Sequence, residues 1–94
     1  MNIQELRNEI DNVDAELAAL YEKRMALAKA IALYKKENNL PVLDQNREAI
    51  VIENASARLS DQTLQADFKS VMALIIQNSR KVQERLLSED VIDG

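Results

Sequence analysis

Apolar residues recur over the first third of the chain at alternating intervals of three and four. They are Ile3, Leu6, Ile10, Val13, Leu17, Leu20, Leu27, Ile31 and Tyr34, with Arg24 at the one place where the series turns polar. This spacing keeps one stripe of a helix apolar, and over more than four heptads it predicts a helix that packs along its length. Asn38-Asn39-Leu40-Pro41 closes the pattern, because the residue before a proline is pushed out of helical geometry. A shorter helix is expected from Asp44, whose carboxylate can accept from the amides of the next turn. It carries Ile50, Val51, Ile52, Ala55 and Leu59 and fades near Ser60-Asp61, a second capping signal. The third helix repeats the seam as Leu64, Phe68, Val71, Ile75, Ser79, Val82 and Leu86, again with a single polar member. The fold class is therefore all-α: three helices, one very long, one short and one long, in a single domain over 1–94. Residues 88–94 read as a frayed tail or linker.

Length turns this pattern into an argument about assembly. A helix from Ile3 to Asn38 would be roughly 54 Å long at 1.5 Å per residue. A compact globule of this size has a diameter of roughly 32 Å. The first helix must then project with part of its apolar seam uncovered, and an uncovered seam of that size calls for a partner. The simplest assembly is an intertwined antiparallel homodimer in which the long helices cross.

Composition narrows the chemistry. Among 94 residues there is no Cys, no His and no Trp, one Gly (Gly94) and one Pro (Pro41). Disulfides, thiolate nucleophiles, cysteine metal sites and the usual near-neutral general base are excluded. So few turn-forming residues also argue against a β-rich fold. With a formal net charge of -4 and no Arg/Lys block, nucleic acid is not the expected partner. No apolar run reaches the roughly 20 residues of a membrane span, and MNIQELRNEI lacks a signal-peptide core, so a cytoplasmic protein is expected.

The polar interruptions of the seams then stand out. Arg24 occupies a position made for Leu, and a guanidinium there needs a salt bridge, a route to solvent or a bound anion. Lys35 lies about 20° from it around the helix and ~16 Å along it, so the two could grip a small ligand between them. Arg7 is ~25 Å from Arg24 along the same helix and about 100° around it. It cannot serve that pocket from its own chain, but in an antiparallel dimer it can reach the partner's. Asp44 and Glu48 share a face of the second helix with Arg47 between them, and Ser79 and Gln83 share the seam side of the third. Each has an ordinary alternative: a cap for Asp44, a solvated face for Arg47 and Glu48, a tolerated polar pair for Ser79 and Gln83.

These residues also carry a family resemblance. The run LRNEIDNVDAELAALYEKRMALAKAIALYKKENNLPVLDQNRE, followed by SRKVQ in the third helix, resembles the all-helical (type II) chorismate mutases over about residues 3–87. The specific pieces are LR-x-x-ID, R-x-x-LA with a lysine further on, LPV-x-D-x-x-RE after the loop, and S-x-x-x-Q, in order and at compatible spacing. The stretch 52–66 matches nothing specific and reads as scaffold. By this resemblance Arg7 is the arginine that crosses from the partner subunit, and Arg24 the one that holds a substrate carboxylate. Lys35 and Gln83 are the pair that hydrogen-bonds the ether oxygen of the breaking bond, and Glu48 accepts from the ring hydroxyl. Asp44, Arg47 and Ser79 match flanking substrate-binding positions.

The resemblance implies an isomerase that rearranges chorismate to prephenate in phenylalanine and tyrosine biosynthesis. The reaction is pericyclic and needs no metal or cofactor. It asks for a cationic cage that holds a dicarboxylate and for donors at the ether oxygen, which this composition can supply. Two alternatives stay open: a relative that eliminates pyruvate from isochorismate, and a non-catalytic helical dimerisation module in which the seam polars fix register.

Overall fold

In a computed structural model, the backbone is described for residues 1–93 and side chains through Ser88; the expected tail or linker at 88–94 lies almost wholly outside the described side chains. The long helix α1 spans Ile3–Glu37, α2 spans Gln45–Ala57, and α3 spans Gln65–Asp93 after a single 3₁₀ turn at Gln62–Leu64. Three helices of the expected relative lengths are present, with no strand among the described residues.

The boundaries follow from side-chain chemistry. Asn2 caps α1 by accepting from the Glu5 amide at 2.8 Å. At the other end Asn39 takes φ 55°, the left-handed conformation usually left to glycine. Its amide donates to Lys36 O (3.3 Å), and the Leu40 amide donates back to Lys35 O (2.8 Å). This pair of crossed bonds is a Schellman closure, with asparagine standing in for the glycine that the chain interior lacks. Asp44 caps α2 through the Arg47 amide (3.0 Å), and Asp61 caps the 3₁₀ turn through Thr63. The second helix stops at Ala57, slightly before the expected Ser60. There the Arg58 and Leu59 amides turn to carbonyls three residues back, which tightens the last turn.

The molecule is elongated, 56 × 28 × 15 Å, with a radius of gyration of 16.8 Å against about 12 Å for a compact chain of this length. The long dimension is that of α1. Only its C-terminal half is packed: α3 lies against it and also carries α2. From Ile3 to Leu20 the seam has no cover, and Ile3, Leu6, Ile10, Val13, Leu17 and Leu20 are each 43–62 % exposed. Among the described residues no helix is long and apolar enough to cross a membrane.

Within the chain, helix packing uses a different stripe from the seam. The buried residues of α1 are Met25, Ala28 and Ala32, whereas the seam members Leu27, Ile31 and Tyr34 stay more than half exposed. On α3 the buried apolar pair is Met72 and Ile76, one position on from the seam members Val71 and Ile75, and of the seam itself Ser79 is buried. Small residues explain the choice: with Ala28 and Ala32 on the contact line, the backbones of α1 and α3 approach closely enough for side chains of one to reach carbonyls of the other. Ser56 on α2 is also fully buried, its hydroxyl satisfied within its own helix by Glu53 O (3.0 Å).

Candidate active site

The rotation of the packing stripe leaves the C-terminal part of the seam free to line a cleft. That cleft, about 290 Å³, lies where the three helices converge. Leu27 and Ile31 of α1, Val51 of α2, Ile76 of α3 and Val42 of the loop form its apolar walls. Arg24, Lys35, Arg47 and Arg80 supply four cations and Asp44 and Glu48 two carboxylates, with Ser79 and Gln83 the neutral polar groups. Seven of the eight residues singled out from the sequence, all but Arg7, therefore line one cavity.

Each is positioned by the local fold. Arg24 is half-buried, and its Nη1 donates to Ser79 Oγ at 2.7 Å. The Ser79 hydroxyl donates one turn back to Ile75 O (3.0 Å), with Met25 Sδ at 3.7 Å. The buried serine in the third seam is thus an acceptor for Arg24, and no carboxylate neutralises the guanidinium through it. Lys35 is held by the helix closure described above: the Schellman turn brings the chain back, and Lys35 Nζ donates to Val42 O at 3.0 Å. Gln83 reaches across to α1, its Nε2 donating to Ala28 O at 2.9 Å. That carbonyl already serves a helical bond and accepts a second on its other lone pair.

The α2 side is the acidic one. Asp44 lines the cleft and is also the helix cap, so one of its oxygens is committed to the Arg47 amide. Glu48, one turn on, has its Oε2 3.5 Å from Arg80 Nε. Arg80 was not among the residues selected from the sequence. Its signal was available, since Ile76, Ser79, Arg80 and Gln83 are spaced to share one face of a helix. Ala28, the last residue of the R-x-x-LA piece, anchors Gln83 through its carbonyl, a role that its side chain does not signal.

Arg7 is placed on the exposed N-terminal half of α1 and does not line the cleft. Seventeen residues separate it from Arg24, roughly 25 Å along the helix, which no arginine side chain spans.

Chemically, the cleft combines an apolar body the size of a small ring compound with an excess of fixed positive charge and one uncharged donor, Gln83. Arg24 and Lys35 spend their donors on a hydroxyl and a carbonyl, so an incoming anion does not have to break an ion pair to reach them. This suits a compact dianion.

Comparison with known proteins gives the family. The family model described as "Chorismate mutase type II" matches residues 6–84. The chain is 33 % identical over 84 residues to a bifunctional chorismate mutase/prephenate dehydratase of Buchnera aphidicola, covering 88 % of this chain and 22 % of that protein. It is 23 % identical over 88 residues to a chorismate mutase of Methanocaldococcus jannaschii, covering 93 % and 89 %. It is also 27 % identical over 89 residues to a 4-amino-4-deoxychorismate mutase of Streptomyces venezuelae, covering 94 % and 86 %. The chain thus spans about a fifth of the Buchnera relative and most of the other two. No solved structure matches at the same stringency. With the match running from the first turn of α1 through all of α2 and well into α3, the chain belongs to the type II chorismate mutase family.

Proposed function

We propose that this chain is a chorismate mutase of the cytoplasm: a single helical domain that works as a crossed homodimer and rearranges chorismate to prephenate for phenylalanine and tyrosine synthesis. The observation that carries the reading is the convergence of Arg24, Lys35, Glu48, Ser79 and Gln83 on one cleft, with the cations held by neutral partners. The reaction is intramolecular. As the ether C–O bond breaks a C–C bond forms between the ends of the same molecule, so the protein has to supply conformation and charge and no nucleophile.

Arg24 and, from the partner subunit, Arg7 hold the two carboxylates with charge-assisted bonds and favour the folded conformer in which the reacting carbons meet. Ser79 aims Arg24 by accepting from its Nη1 at the cleft wall. Lys35 and Gln83 face the ether oxygen, where negative charge collects in the transition state. Donors fixed in advance gain more from that state than from the ground state, and one such donor is worth ~3 kcal/mol. Both donate to backbone carbonyls, Val42 O and Ala28 O, and these bonds fix their positions at the cleft wall. Glu48 accepts from the ring hydroxyl, and Asp44 and Arg47 shape the same end.

One similar protein is named for 4-amino-4-deoxychorismate, which carries an amine where chorismate has its ring hydroxyl. For this chain the hydroxyl substrate is the reading, because the carboxylate at that end is already matched by a guanidinium. The test is incubation of the purified chain with chorismate or isochorismate, in the presence of a chelator, with products identified by chromatography. Prephenate from chorismate is the expected result. Pyruvate from isochorismate, with no turnover of chorismate, would assign the chain to the lyase reaction; no turnover of either by a folded dimer would leave a dimerisation module.

A further inference from the structure

Resting on the proposed chorismate reading, we infer that Arg80 makes the cleft selective for a neutral ring hydroxyl over a ring ammonium by matching the charge of Glu48. Arg80 lines the same cavity as Arg24, Lys35 and Glu48, and its Nε stands 3.5 Å from Glu48 Oε2. That Nε is sealed from solvent and makes no hydrogen bond. The two side chains are therefore paired by charge and not locked in a fork, and Glu48 keeps lone pairs for a donor from the ligand. Asp44, the other carboxylate of the lining, has one oxygen committed to capping α2. Glu48 is the carboxylate that Arg80 faces, and the acceptor read for the ring substituent of a substrate whose carboxylates are drawn to the cations.

What the ring substituent meets is an acceptor oxygen within a pair of zero net charge. A hydroxyl needs the oxygen alone. An aliphatic amine is protonated at neutral pH and would need uncompensated negative charge; here it would lie close to a guanidinium instead. Like charges a few Å apart in a partly solvated cleft oppose each other by enough to cost about tenfold in binding. The Arg80 side chain is 42 % exposed, which keeps the effect near that size. Arg80 acts through Glu48, and its role is to position and balance that carboxylate.

The test compares kcat/KM for chorismate and for 4-amino-4-deoxychorismate in the unmodified chain, in Arg80→Leu and in Arg80→Lys. The unmodified chain should prefer chorismate. In Arg80→Leu the preference should shift toward the amine by about tenfold, and Arg80→Lys, which keeps the charge, should hold it within about threefold. Arg80→Gln, polar and of similar reach, should move the ratio as leucine does and covers the case of a poorly folded leucine variant. If all neutral variants lose activity on both substrates in equal proportion, Arg80 is only a structural neighbour and the inference is overturned. A preference for the amine in the unmodified chain overturns it as well. If the unmodified folded chain turns over neither compound, the underlying function falls first, and that outcome is separate from an unmoved ratio in an active enzyme.

Discussion

Arg7 and Arg24 give the sharpest test of how the site is completed. They lie on one straight helix about 25 Å apart, Arg24 in the cleft and Arg7 on the uncovered half of α1. If Arg7 belongs to an active site, it is the site of a second copy. Removing either guanidinium takes away a charge-assisted bond to a carboxylate, worth ~1.5–3 kcal/mol, or roughly ten- to more than a hundredfold in kcat/KM. Arg7→Ala and Arg24→Ala homodimers should each retain on the order of 1–10 % of activity. When the two chains are unfolded together in urea at equal amounts and refolded, half of the dimers are mixed. In a crossed dimer both lesions of a mixed pair fall in one site and leave the other intact, so activity should rise to about a quarter of the unmodified value. Steady-state assay of the refolded mixture, with sedimentation to establish exchange, reads this directly. Activity equal to the mean of the two parents would refute the crossed arrangement, even if the chain proved to be a dimer.

Three further outcomes follow from the packing and the caps. Ser79→Ala removes the acceptor that aims Arg24 and should lower kcat/KM about tenfold while costing ~1 kcal/mol in urea denaturation; an unchanged kcat/KM would mean that Arg24 needs no such support. Ala32→Leu places a large side chain on the fully buried contact line of α1 and should destabilise by ~1–3 kcal/mol or more, whereas the same change at the exposed Ala30 should be nearly silent; equal melting curves for the two would contradict the rotated packing stripe. The Asp61 carboxylate is held below its ordinary range by the Thr63 hydroxyl and amide. A lowered folded-state value means that its stabilisation is complete above the unfolded value near 4 and is lost as pH falls through the folded one. The stability gap between the unmodified chain and Asp61→Ala should therefore close in acid, and a gap independent of pH would contradict it.

The sequence made the elements legible because their ends are chemically marked. Asn2, Asp44 and Asp61 each accept from a backbone amide two or three residues on, and Pro41 follows a Schellman turn that asparagine can form. The candidate site was legible for a related reason: a polar residue at an apolar position, such as Arg24 or Ser79, stands out against a regular period. The direction in which the helices pack was less visible. The heptad seam is the most apolar stripe, yet within one chain α1 and α3 meet through Met25, Ala28, Ala32, Met72 and Ile76. Hydrophobic periodicity weighs side chains by size and polarity, whereas close helix approach rewards small ones, and alanine scores weakly on the first measure. The seam has two other uses, an uncovered face along the first half of α1 and a cleft wall along the second. Arg80 escaped notice because an arginine beside a seam, on a helix rich in charge, looks like a solvated residue until Glu48 of α2 is brought to within 3.5 Å of it.

The central claim is that donors fixed in the three-helix cleft drive a rearrangement by stabilising charge on the ether oxygen. Lys35→Ala tests it most directly, since Lys35 donates to Val42 O from the cleft wall and its removal leaves the buried packing of α1 untouched. The kcat for conversion of chorismate to prephenate should fall by about 10²–10³, corresponding to ~3 kcal/mol, with helical content and sedimentation unchanged. A kcat within a few-fold of the unmodified chain would contradict the claim.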